Sequence, residues 1–171
     1  YTKYLIENYH YKIAENISNE ILGKDASNKL AHLYKINAQI SMRNYENAAA
    51  SIEEALVFYP DDRNLKLKLA DVYANSNRID ESIQLLKELS QKYIYNQEIK
   101  NSLIEALFLK AKKLEEDKKR EEAKKVYHAI LELEPNDTLS VIKITQILMD
   151  QDRLQEAENL INKSLEIHTA H

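Results

Sequence analysis

Apolar residues recur along this chain with a helical period, and the same local pattern returns five times. Each copy is anchored by a small residue, Ala14, Ala48, Ser82, Ala123 or Ala157, at separations of 34, 34, 41 and 34 residues. Four residues past each anchor stands Ser18, Ile52, Leu86, Tyr127 or Ile161. Seven and eight past come Ile21-Leu22, Ala55-Leu56, Leu89-Ser90, Ile130-Leu131 and Ser164-Leu165. These offsets fall on one face of a helix. A two-helix unit of this length cannot bury its apolar stripe alone, so the period predicts helix pairs stacked into a solenoid around one continuous core.

Small residues where two helices cross permit close approach, and the larger side chains one turn away fill the layer between pairs. Asp61-Asp62 and Asn136-Asp137 are expected to cap the first helix of a pair, and Asn77 and Asp152 the second. The two prolines, Pro60 and Pro135, each lie twelve residues past an anchor. The single glycine, Gly23, reads as a helix stop. No alternating strand pattern is present, and the expected fold is all-α.

The spacing resembles the tetratricopeptide repeat, in which two antiparallel helices, A and B, occupy 34 residues with small residues at their crossing and proline after helix B. Residues 138–171 carry the resemblance through Val141, Ile144, Thr145, Leu148, Leu154, Ala157, Ile161 and Ser164. Residues 63–95 carry it through Leu69, Ala70, Tyr73, Ile79, Ser82 and Leu86, and the unit ending at Pro135 through Leu107, Ala111, Leu114, Ala123 and Tyr127. The unit ending at Pro60 matches through Leu33, Ile36, Ile40, Tyr45, Ala48, Ile52 and Ala55, with one residue missing from its turn. The resemblance implies a right-handed α-solenoid of four to five helix pairs. They divide into a partial repeat at 1–28 and repeats at 29–62, 63–95, 96–137 and 138–171.

The chain departs from the family pattern in places. Tryptophan is absent, and Asn37 and Thr145 replace the small residue near the middle of helix A. Ile21, Leu89 and Ile130 are bulky where Ala55 and Ser164 are small, which predicts uneven spacing between helices. Between the second and third full repeats the period grows by seven residues, placed at 96–103. Seven residues turn a helix almost back to its starting direction, so Ile99 and Leu103 extend the same apolar face. The expectation is a helix from Gln97 to Glu116, about 30 Å long. Tyr93, Ile94 and Tyr95, which replace the proline turn, are expected to pack beneath it, the alternative being an exposed aromatic patch.

Hydrophobic residues make up 44% of the 171 residues and charged ones 30%, the balance of a soluble globular domain. The apolar runs are too short for a membrane span. A net charge of −4 disfavours a nucleic-acid partner, because binding phosphates needs a concentrated positive face. The densest basic stretch, Lys112 to Lys125, is interleaved with acids. Glu115 with Lys119, Glu116 with Arg120 and Glu121 with Lys125 fall four apart, and read as a self-paired helical surface. The absence of cysteine removes disulfides and fits a cytoplasmic or a periplasmic setting alike. Residue usage rich in Lys, Ile, Asn and Tyr points to an AT-rich, bacterial genome. The start at Tyr1, inside a repeat, predicts a piece of a longer protein.

No catalytic constellation emerges. The histidines, His10, His32, His128, His168 and His171, are scattered across repeats, and are read as surface or packing residues rather than metal ligands. Gly23-Lys24 lacks a phosphate-binding loop. Carboxylates lie beside Lys or Arg on helix faces, so no isolated acid–base pair is predicted. The expectation is a non-enzymatic chain with no cofactor.

Binding residues follow from the resemblance. In tetratricopeptide arrays the A helices line the concave groove, and the residue after the first core position of helix A faces into it. That rule implies Tyr34, Leu67, Phe108 and Ile142, then Ala38, Asp71, Lys112 and Gln146 one turn on, then Asn75 and Met149. The first rung is wholly apolar or aromatic, suited to an amphipathic helix or an extended apolar peptide. The lysine and asparagine of the carboxylate-clamp groove are missing, because Tyr34 with Ala38 and Leu67 with Asp71 stand there. The function so implied is a protein- or peptide-binding scaffold within a larger assembly. The alternatives are the sensing module of a regulatory receptor, or repeats presenting substrate to an attached enzyme. The terminal helix keeps Leu160, Ile161 and Leu165 in repeat-like positions, so its apolar edge is expected to be covered by a second copy or by further chain.

Overall fold

The computed structural model describes residues 1–7 and 10–169, apart from the side chains of Glu7, His168 and Thr169. The helices are α1 (Thr2–Glu7), α2 (Tyr11–Lys24), α3 (Lys29–Ser41), α4 (Tyr45–Phe58), α5 (Arg63–Asn75), α6 (Ile79–Lys92), α7 (Gln97–Glu116), α8 (Arg120–Leu133), α9 (Thr138–Asp150) and α10 (Leu154–Thr169). No strand occurs among the described residues. The fold is an all-α solenoid of antiparallel helix pairs. It falls into two compact units, Tyr1–Lys92 and Tyr93–His171.

The connectors are regular. Three residues join A to B in every pair from α3–α4 onward, and four join B to the next A. The 13-residue α3 and 14-residue α4, with their connectors, fill the 34-residue period, so no residue is missing from that turn. The seven additional residues of the third period all enter α7, which has 20 residues against 13 in α5 and α9.

Helices α3, α5, α7 and α9 each start at a side-chain cap. Asn28 accepts from the Ala31 amide, Asp62 from Leu65 and Asn96 from Ile99, each at 3.0 Å, and Asp137 accepts from Ser140 at 2.7 Å. These bonds satisfy amides that the first turn leaves free. B helices begin differently. Arg43, Asn77, Lys118 and Asp152 lie in the A-to-B turns with φ of 56°, 65°, 62° and 59°. The residue after each left-handed position then bonds back across the end of helix A, as in Lys119 N to Leu114 O at 2.8 Å. Asn77 and Asp152 are therefore not caps, contrary to expectation. They are the left-handed residues of the turn, a conformation that Asn and Asp tolerate better than most. Acidic residues in the first turn of α4, α6, α8 and α10 suit the helix dipole instead. Gly23 does not stop a helix by left-handed backbone either: α2 runs through it to Lys24, and no glycine has positive φ.

All five anchors are buried: Ala14, Ala48, Ser82 and Ala123 completely, and Ala157 to 4% exposure. In the first unit one buried cluster joins Ile36 of α3, Ala48, Ala49, Ile52 and Ala55 of α4, and Leu65, Leu69 and Val72 of α5. Each large side chain so buried contributes about 1.5–3 kcal/mol, and the cluster ties one pair to the next. Leu5 of α1, Ala14 of α2 and Ala38 of α3 form a smaller cluster. In the second unit Ile99 and Leu103, on the added turns of α7, are buried as expected. Lys100 reaches Glu134 beyond α8 at 2.7 Å.

Two surface expectations fail. Ile94 and Tyr95 are 75% and 99% exposed, and only Tyr93 is half-buried. Ile94 holds the connector position of Pro60 and Pro135, which also faces solvent. The Glu115–Lys119 and Glu116–Arg120 pairs are not made as helical pairs, because α7 ends at Glu116 and Lys118 reverses the chain. Instead Glu115 pairs with Lys143 at 3.1 Å, Arg120 with Asp150 at 2.7 Å and Glu121 with Lys124 at 2.8 Å. Two of these join α9 to the preceding pair. His32 is buried with Nε2 2.9 Å from the Ala26 carbonyl and its ring against Phe58. His171 and the side chain of His168 lie outside the described residues.

Candidate functional site

The left-handed turn residues give α3, α5, α7 and α9 a common origin, and the candidate positions are counted from it. Ten residues before Asn77, Lys118 and Asp152 stand Leu67, Phe108 and Ile142. Ten before Arg43 stands Leu33, not Tyr34. One turn on, the equivalents of Asp71, Lys112 and Gln146 include Asn37 rather than Ala38. The α3 assignments were thus one residue out of register, and Ala38 shows why it matters. Ala38 is fully buried, at the level of Val72, and packs with Leu5 and Ala14. It offers no surface to a partner. The signal that recovers the register is the fixed interval of 15 residues from Leu33, Leu67, Phe108 and Ile142 to the anchors Ala48, Ser82, Ala123 and Ala157.

The corrected rung is apolar at every position. Leu33, Leu67 and Phe108 are half-buried and Ile142 is 47% exposed. Tyr34 is also half-buried. In the first unit α3 and α5 are drawn together by Lys29, 2.7 Å from the Asp62 cap. In the second, α7 and α9 are joined by Glu115 and Lys143. Asp71, Lys112, Gln146, Asn75 and Met149 are all exposed. Asn75 Nδ2 donates to the Asp71 carbonyl at 2.8 Å and to its carboxylate at 3.2 Å, and Lys112 lies 4.0 Å from Glu116. Each unit therefore presents an apolar rung with a polar edge.

The Phe108 ring meets that of Tyr127 at 6.1 Å between centroids, tilted by 58°. Tyr127 is buried, and burial together with the Glu115 carboxylate pushes its phenol up to about 12. One side of Phe108 is thus fixed by packing while the remainder meets solvent.

Two clefts, not anticipated from sequence, flank the contact between α9 and α10. The larger, about 510 Å³, is walled by Leu131, Pro135, Leu160 and Ile167. The smaller, about 300 Å³, is walled by Ile142, Thr145, Ile161 and Leu165. Val141 and Ser164 line both. Ser164 holds the position of Leu89 and Ile130, which are buried, so the missing side-chain volume opens the end of the pair. Among the described residues no group of three His, Cys, Asp or Glu side chains is placed to hold a metal ion. No helix among them is long and apolar enough to cross a membrane.

The architecture is that of a helical-repeat protein, and comparison with known proteins agrees. Residues 39–93 match the family model described as tetratricopeptide repeat. A crystal structure of MamA aligns with a TM-score of 0.63 at 12% identity, covering 99% of this chain and 95% of that one. MamA AMB-1 aligns at 0.58 and 18%, covering 99% and 96%. YrrB, a TPR protein with an unusual peptide-binding site, aligns at 0.60 and 16%, covering 99% and 84%. At these identities the likeness is one of fold. A search of curated protein sequences finds no match.

Proposed function

We propose that this chain is a non-enzymatic scaffold that binds a protein or peptide on the exposed face of its A helices, within a larger assembly. The observation carrying this reading is the register of Leu33, Leu67, Phe108 and Ile142, apolar in all four repeats and in none withdrawn fully into the core. A solenoid that needed these positions only for stacking would bury them as it buries Leu65 or Ile144. The polar edge supplied by Asp71, Asn75, Lys112 and Gln146 suits an amphipathic helix or an extended apolar segment, whose outer side stays in water. YrrB, of similar fold, has a peptide-binding site, which adds support. Photo-cross-linking tests the reading directly. A benzophenone side chain at Leu67 or Phe108 should capture a partner from cell extract, and one at exposed Val57 on α4 should not.

A further inference from the structure

We infer, on the reading that the A-helix rung binds a partner, that the residues added to α7 make its exposed face selective for a segment in which lysine or arginine flanks an apolar anchor.

Counted back from Lys118, Ile104 is the counterpart of Arg63, the first residue of α5, so residues 97–103 are the added turns. Their inner side, Ile99 and Leu103, is buried. Their outer side lengthens the face that meets solvent. Glu98, Asn101, Glu105, Leu109, Lys112 and Glu116 are all exposed and follow one another at three or four residues, so they lie along one side of the helix. Phe108 of the rung borders this side, half-buried against Tyr127, and Leu109 within it is 40% exposed. The counterparts of Glu105 in α3, α5 and α9 are Leu30, Asn64 and Leu139, and none of these helices reaches back to a counterpart of Glu98.

Charge on this face is divided. In its second half Lys112 lies 4.0 Å from Glu116, and beside it Glu115 is held by Lys143, the one basic residue of α9. Lys100 is held by Glu134, and Lys110 and Lys113 have partners as well. In the first half no Lys or Arg stands three or four residues from Glu98 or Glu105. Neither carboxylate has a hydrogen-bond or ion-pair partner among the described residues. A segment seated on Phe108 and Leu109 and running towards the start of α7 meets Glu105 after about 6 Å and Glu98 about 10 Å further on. Like charge would repel an acidic segment there, and a neutral one would leave both carboxylates without a partner. Lysine or arginine pairs with them, next to apolar contact that excludes water and strengthens the pairing.

The probe is a displayed library of random 15-residue peptides, selected on the whole chain. Enriched peptides should combine an apolar residue with Lys or Arg. The tightest is then titrated in two forms, one with its basic residues kept and one with glutamate in their place. The basic form should bind at least about fivefold more tightly, and the difference should shrink at high salt. Glu98→Gln with Glu105→Gln, a change that keeps exposed residues of similar helix propensity, should remove most of that preference. Glu98→Lys with Glu105→Lys should reverse it. Leu67→Ser with Phe108→Ser should weaken both forms about tenfold or more. Peptides that depend on the rung but bind the parent and the two charge variants alike would overturn the inference and leave the rung reading standing. Peptides indifferent to the rung substitutions, or a library from which nothing is enriched, would overturn both.

Discussion

Tyr127 of α8 is buried within the field of the Glu115 carboxylate of α7, which lies 3.1 Å from the Lys143 ammonium. That ion pair joins α7 to α9. Burial, reinforced by that negative charge, raises the phenol to about 12. In the unfolded chain the phenol titrates near about 10, so between those values the folded state holds more protons. The stability from this group is intact below about pH 10 and is lost as pH rises towards about 12, by at most about 3 kcal/mol. Tyr127→Phe should lose less stability than the parent on going from neutral pH to about pH 11. Urea midpoints at the two pH values provide the check, and equal alkaline losses in the two proteins would contradict it.

Lys118 holds φ at 62° with no side-chain feature that favours it. Lys118→Gly should raise stability by about 0.5–1 kcal/mol, because relief of the left-handed strain outweighs the added freedom of the unfolded chain. At Lys113, within α7, the same change should cost about 1 kcal/mol. Equilibrium denaturation of the two variants would show opposite signs. A loss at Lys118 would argue against the turn.

Ala123 is fully buried where α8 crosses its partner α7. Ala123→Leu should overpack that crossing and cost about 1–3 kcal/mol. A melting curve unchanged from the parent would mean that the helices do not cross there.

Helix B was legible because one small residue marks its crossing in every repeat, and burial of Ala14, Ala48, Ser82, Ala123 and Ala157 follows from that role. Helix A was less so. Its register depends on the turn into helix B, and Arg43 and Lys118 carry no turn signal, while Asn77 and Asp152 look like caps. Counting α3 from its apolar residues alone slipped by one, which moved Leu33 to Tyr34 and drew buried Ala38 into the candidate site. The added turns of α7 were legible because seven residues preserve the helical phase. The clefts beside Ser164 were not, since they arise from volume missing between helices, which depends on the neighbours of Ser164 in space.

The central claim is that the A-helix rung binds a partner. Its most direct measurement is the affinity of the cross-linked partner, once identified, for the parent and for Leu67→Ser with Phe108→Ser. Val57→Ser, at a side chain 77% exposed on α4, serves as the control. The rung variant should lose more than about 2 kcal/mol of binding while keeping its helicity and melting behaviour, and the control should bind like the parent. Equal binding by the parent and the rung variant would contradict the claim, as would a rung variant that unfolds, which would show that these side chains belong to the core.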